Sequence, residues 1–168
     1  MNHSIIKKCK RIKLVLTDVD GVLTDGGMYY SKKGEELKKF NTRDGMGVEL
    51  LRNAGIMTIM ITKEKSLISI SRAKKIKVKK ILSGITNKEK EIHKISQMYN
   101  IEFSDIAYIG DDINDLKSIK ICGLSATPAD GHNEVKKLAD YICKTKGGEG
   151  AFRELADVIL LAKNNKQE

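Results

Sequence analysis

Short apolar runs recur along the chain: Ile12–Thr17, Ile56–Ile61, Val78–Leu82, Ile106–Ile109, Leu124–Ala126 and Tyr141–Cys143. Runs this short, rich in Ile, Val and Leu, predict buried parallel strands. Helical patterns separate them. Asp44 is read as the N-cap of a helix carrying Met46, Val48, Leu50, Leu51 and Ala54, with Gly55 as its C-terminal stop. Ser66–Lys75 predicts a helix with Leu67, Ile68 and Ile70 inward and Arg72 and Lys75 outward. Lys88–Tyr99 predicts one with Ile92, Ile95 and Met98 on a stripe. Asp115–Ile121, His132–Ala139 and Ala151–Ala162 complete the set. Strands alternating with helices imply an α/β fold with a doubly wound parallel sheet.

The alternation breaks twice. Residues 1–11 read as a frayed basic lead-in. After the first strand, Gly26-Gly27 opens two short runs around Ser31-Lys32-Lys33-Gly34, a β-hairpin insertion over about residues 26–41. It exposes Met28, Tyr29, Tyr30, Leu37 and Phe40. A lone ribbon is marginally stable, so it either folds onto its own domain or pairs with another subunit. Gly147-Gly148-Glu149-Gly150 reads as a flexible loop before the closing helix, the two spanning about residues 146–163.

A chain of 168 residues fits one domain, residues 1–168. With 40% hydrophobic and 32% charged residues it reads as soluble and globular. No apolar run nears the roughly 20 residues of a membrane span, and no signal segment follows the basic start, so a cytoplasmic protein is expected. Cys9, Cys122 and Cys143 lack metal or CxxC spacing and read as reduced thiols. The net charge of +9 comes largely from scattered lysines, with few aromatics among them. That pattern predicts solvated faces and no nucleic-acid groove.

Polar residues sit at the ends of three of the predicted strands: Asp18 with Asp20, Thr62, and Asp111 with Asp112. In a parallel sheet such tips share one edge and can converge. Crowded carboxylates repel unless a cation neutralises them, and hard oxygen donors suit Mg²⁺. Thr62 and Lys88 could hold a phosphate, helped by helix N-termini. A carboxylate can attack phosphorus to form an aspartyl-phosphate.

Asp18-Val-Asp20-Gly-Val-Leu-Thr-Asp, Ile61-Thr62, Lys88 and Gly110-Asp111-Asp112-Ile-Asn-Asp115 resemble the motifs of the haloacid dehalogenase superfamily. Thr24-Asp25-Gly26-Gly27-Met28-Tyr29, Arg43-Asp44-Gly45, Pro128-Ala129-Asp130 and Gly147 to Glu154 extend the resemblance to its capless phosphatases of 3-deoxy-2-keto sugar acids. The resemblance implies a Mg²⁺-dependent phosphomonoester hydrolase. Asp18 would be the nucleophile and Asp20 the general acid and base. Asp18, the backbone carbonyl of Asp20, and Asp111 would hold the metal. Thr62 and Lys88 would bind the phosphoryl group, and Asp112 or Asp115 would position Lys88 or metal-bound water. Lys63 replaces the usual glycine, either as an added cation at the phosphate site or as a solvent-facing substitution.

The gaps between motifs leave no room for a cap domain. Relatives of this kind close the site as homotetramers built through the hairpin, with the Gly-rich C-terminal segment completing the site. Glu64, Arg72 and Lys75 resemble a set that recognises the carboxylate of nine-carbon substrates, which makes KDN or N-acylneuraminate 9-phosphate the leading expectation. Arg43-Asp44-Gly45 resembles the eight-carbon group, so the alternative is a KDO 8-phosphate phosphatase of lipopolysaccharide biosynthesis. A non-catalytic assembly domain, like those related to acylneuraminate cytidylyltransferases, is the competing class. His3, His93 and His132 read as surface or helix-flank residues, and Phe40 and Phe152 as packing.

Overall fold

The computed structural model describes residues 2–165. Its strands in chain order are β1 (Leu14–Thr17), β2 (Tyr29–Ser31), β3 (Gly34–Leu37), β4 (Met57–Ile61), β5 (Lys80–Leu82), β6 (Ile106–Ile109), β7 (Leu124–Thr127) and β8 (Tyr141–Ile142). Its helices are α1 (His3–Arg11), α2 (Thr42–Asn53), α3 (Leu67–Ile76), α4 (Lys88–Tyr99), α5 (Leu116–Ile121), α6 (Asn133–Leu138) and α7 (Ala151–Asn164). The main sheet is parallel, in the order β5-β4-β1-β6-β7-β8, and β2 and β3 form a separate antiparallel ribbon. The chain lays β4 and β5 on one side of β1, then crosses to β6 on the other. The winding therefore reverses beside β1, where open α/β sheets place their sites.

Successive strand residues face opposite sides of a sheet. Leu14 and Leu16 pack with Ile92 and Ile95 of α4 and Val135 of α6. Val15 packs on the other face with Cys9 of α1, Val48 of α2 and Phe152 and Ile159 of α7. Each fully buried Leu, Ile or Phe contributes about 1.5–3 kcal/mol. The result is a doubly wound three-layer fold, as the alternation predicts, with no cap domain. Among the described residues no helix is long and apolar enough to cross a membrane.

Several expectations need correction. The N-terminus is helical, not frayed. Asn2 caps α1, Cys9 is buried, and Ile5 and Ile6 pack on the core. Two of its cations are paired: Lys8 with Asp140, and Arg11 with Asp105 at 3.1 Å. Asn41, not Asp44, caps α2, its side chain accepting from Arg43 N at 2.9 Å. Asp44 lies inside the first turn and is buried against α7. On α3, Leu67 is 82% exposed, and the buried positions are Ser69 and Ala73. Met98 is also exposed, because the inward stripe of α4 passes from Ile95 to Tyr99, which packs on the core.

Phe40 is half-buried and packs on the core beneath the Arg72 guanidinium, 5.7 Å from its ring centroid, so it counts as packing and not as exposed hairpin surface. The glycine loop is packed rather than flexible. Gly147 and Gly148 are buried, and Gly148 N donates to Val22 O at 3.0 Å. All three cysteines are free and buried, and burial pushes Cys9 up to about 11 and Cys122 to about 12. Such thiols stay protonated and inert.

Candidate active site

The site is built on the end of β1. Thr17 pairs with Met60 of β4 and Ile109 of β6, so the next residue, Asp18, emerges between the two neighbouring strand tips. Asp18 N donates to Ile109 O at 3.0 Å, and Val19 N donates to Asp18 Oδ1 at 2.6 Å. The chain then turns sharply, with the amides of Leu23 and Thr24 donating to Val19 O. Gly21 takes φ +78°, and a Cβ there would lie 2.0 Å from Asp111 Oδ2. Only glycine lets this turn approach Asp111 so closely. Gly147 buttresses it from outside, where a Cβ would meet Gly21 O at 2.0 Å.

Asp18, Asp20, Thr62, Lys63, Glu64, Asp111 and Asp112 line one cleft of about 360 Å³. Thr62 is buried, and its hydroxyl accepts from Glu64 N at 3.2 Å. Lys88, the first residue of α4, lies behind the cleft wall with its side chain 2% exposed. Its ammonium donates to Asp18 Oδ2 at 2.5 Å and to Asp115 Oδ1 at 2.7 Å. Asp115 also accepts from the Tyr108 hydroxyl at 2.5 Å and from the amides of Asp111 and Asp112 at 3.1 and 3.4 Å. Of the two residues expected to position Lys88 or metal-bound water, Asp115 contacts the lysine. Asp112 caps the short 3₁₀ turn Ile113–Asp115 through its own side chain.

Carboxylate oxygens of Asp18, Asp111 and Asp115 lie within 4.8 Å of one another. Burial, then the Asp115 charge, pushes the Asp18 carboxyl up to about 7 against the pull of Lys88. Burial, then Asp18 and Asp115, pushes Asp111 up to about 8. Such crowding is what a bound cation relieves. Asp115 accepts four hydrogen bonds, whereas Asp18 accepts one on each oxygen and Asp111 none among the described residues, so Asp18 and Asp111 keep lone pairs to ligate, with Asp20 in the same cleft. The residues fit a hard divalent ion.

Other predicted residues lie elsewhere in the chain. Arg43 sits on an exposed depression with Glu149 and Arg153, outside the cleft. Arg72 and Lys75 lie along α3 beside Phe40 and Leu67. The Arg72 guanidinium donates to Asn41 O at 2.8 Å. Glu64 does line the cleft, without a contact to Arg72. His132 is closer to the motifs than expected: it caps α6, and its amide donates to Asp111 O at 2.7 Å. His93 stays exposed, edge-on to Phe103.

The sequence reading misses Tyr108 and Lys38. A tyrosine inside a wholly buried strand signals a hydroxyl in need of a partner. Lys38 gives no such signal among Lys32, Lys33 and Lys39, yet its side chain is 0% exposed. Its ammonium donates to Asp20 Oδ1 at 2.6 Å and faces Glu35 Oε1 at 3.0 Å. Burial works against its charge, but the two carboxylates outweigh that and hold the ammonium above its usual range.

A haloacid dehalogenase-like hydrolase family pattern matches residues 54–155. The chain is 39% identical to a 3-deoxy-D-manno-octulosonate 8-phosphate phosphatase of Haemophilus influenzae, over 93% of this chain and 87% of that protein. The enzyme of that name from Escherichia coli K12 is 36% identical, over 100% of this chain and 89% of its own length. The solved structure of the Moraxella catarrhalis enzyme, in complex with magnesium, phosphate and KDO, superposes with a TM-score of 0.94 at 37% identity. It covers 98% of this chain and 95% of that one. These relatives are named for an eight-carbon ester, so the nine-carbon substrate expected from Glu64, Arg72 and Lys75 finds no support among them.

Proposed function

This chain belongs to the haloacid dehalogenase-like hydrolases and is a phosphatase, and from that premise we propose that it hydrolyses 3-deoxy-D-manno-octulosonate 8-phosphate. The observation that carries the substrate is its likeness, across 93% of its length, to a phosphatase of that ester. Asp18 attacks phosphorus, and the ester P–O bond breaks as Asp20 gives its proton to the leaving alkoxide. Water then attacks the aspartyl-phosphate, Asp20 takes the water's proton, and the Asp18–phosphorus bond breaks to free phosphate. Thr62 and Lys63, on the cleft wall, bind the phosphoryl oxygens. Lys88, held by Asp115, orients Asp18 and offsets its charge; the ammonium stays charged because Asp18 and Asp115 outweigh its burial. Asp18, Asp111 and the Asp20 carbonyl would hold magnesium, which would neutralise the phosphoryl charge.

The hairpin supports assembly. Met28, Tyr29, Tyr30 and Leu37 are 41 to 64% exposed on a ribbon of only two strands, and an uncapped cleft gains by exclusion of water. A homotetramer through residues 26–41 would cover both. Arg43, Arg72 and Lys75, which lie outside their own chain's cleft, would then reach substrate across a subunit boundary.

A phosphate-release assay with Mg²⁺ tests the reading. It compares the eight-carbon ester with KDN 9-phosphate and N-acetylneuraminate 9-phosphate. A preference of about tenfold or more for the eight-carbon ester is expected, worth about 1.4 kcal/mol. Equal or reversed rates would overturn it. Retained turnover in Asp18→Asn would overturn the nucleophile.

A further inference from the structure

The Lys38 ammonium is a buried charged group beside the cleft that the reaction steps above leave unused. Its neighbours Leu37 and Lys39 are exposed. Taking an ammonium out of water costs several kcal/mol unless it is well paired, and a lysine on a surface ribbon could have stayed in solvent. Here it bridges two carboxylates. Asp20 Oδ1 accepts at 2.6 Å, and Glu35 Oε1 lies at 3.0 Å. Glu35 Oε2 accepts in turn from the Ser66 hydroxyl, and Ser66 caps α3 by accepting from Ser69 N. The other oxygen of Asp20, Oδ2, is buried and has no hydrogen-bond partner among the described residues.

We propose that Lys38 is a positioning residue for proton transfer: by fixing Asp20 Oδ1 it holds the carboxyl on the wall of the cleft, where Asp20 serves the ester oxygen of the leaving alkoxide. The inference rests on the role given to Asp20 above. The proton passes from the Asp20 carboxyl to the alkoxide as its bond to phosphorus breaks and the bond from Asp18 forms. Glu35 matters because it balances the ammonium. Asp20 thus meets a hydrogen-bond donor within a pair of zero net charge. The hairpin segment then carries a second job beside that of its exposed tyrosines.

An alternative role is a purely structural tie between ribbon and body, and leaving-group chemistry separates the two. A sugar-acid phosphate leaves as an alkoxide and needs the proton, whereas 4-nitrophenyl phosphate leaves as a stable phenolate and needs it little. Lys38→Met is expected to lower kcat/KM on the eight-carbon ester by about 30- to 100-fold and on the aryl ester only about threefold. In an Asp20→Asn background the same substitution is expected to cost nothing further, because Lys38 acts through Asp20. Lys38→Arg is expected to recover part of the alkyl-ester rate. Equal losses on both esters, no loss, or an undiminished effect in the Asp20→Asn background would overturn the proposal.

If Lys38→Met does not fold, Lys38→Met with Glu35→Gln removes both charges of the pair, a change buried ion pairs tolerate. The same ratio is read on it. A wild-type protein that prefers another alkyl phosphate would overturn the substrate reading alone, and the ratio is then taken on that ester.

Discussion

At the residue scale, the cleft concentrates carboxylates that burial makes unfavourable, and each has a different remedy. Asp115 is saturated by Lys88, Tyr108 and two amides. Asp18 has Lys88 on one oxygen. Asp18→Asn should lower phosphate release by roughly a thousandfold or more while the circular dichroism spectrum stays unchanged. Asp44 shows the cost of burial without such partners. Burial pushes it up to about 6, partly offset by the Arg153 amide at 3.0 Å. Its Oδ2 is buried and unpaired among the described residues. Its folded pKa exceeds the unfolded 3.8, so the folded state holds more protons between those values, and Asp44's contribution to stability falls as pH rises from about 4 to about 6. Asp44→Asn should remove that slope. The variant should match or exceed the wild-type Tm above pH 6, with the gap closing near pH 4, read by thermal melts across pH.

At the element scale, the two departures from the strand–helix alternation are where contacts decide. The hairpin exposes Tyr30 and Leu37 and buries Lys38, the residue after β3. Tyr30→Glu with Leu37→Glu should break an assembly made through its outer face, giving a smaller species in sedimentation equilibrium; an unchanged mass would show that the tetramer forms elsewhere or not at all. The glycine loop packs against the Asp18 turn. Gly148 has φ +69°, and a Cβ would lie 2.3 Å from Asp25 N. Gly148→Ala should therefore destabilise by about 1–3 kcal/mol, seen as a lower Tm, and should also reduce turnover because the turn that carries Asp20 must shift. The helix α1 was hidden for a different reason. Its apolar residues Ile5, Ile6 and Cys9 are few among lysines, and such a stripe becomes a helix only when α7 is there to receive it.

At the scale of the whole molecule, a site formed by three strand tips and two helix starts couples ligand binding to global stability. Magnesium binds the native arrangement and not the dispersed chain, so at about 100 times its Kd it should add roughly 2.7 kcal/mol. A chelator should lower Tm by several degrees. Asp18 and Asp111 are held up at about 7 and about 8 without the ion and must lose their protons to ligate. Binding should release protons near pH 7, and affinity should weaken as pH falls below 7. Calorimetry in two buffers of different ionisation enthalpy measures both.

The apolar runs and the carboxylates that end them determined the parallel sheet, its winding and the place of the chemistry, because strand burial and strand tips are local patterns. Asp18, Thr62 and Asp111 were legible for that reason. Tertiary structure alone decided which lysine is buried, since Lys38 differs from Lys39 only in what lies beneath it. It also decided that Asp115 holds Lys88 while Asp112 caps a turn, and that Arg43, Arg72 and Lys75 lie outside their own chain's cleft. Those are facts of direction and packing between segments far apart in the chain, which spacing along the sequence does not encode.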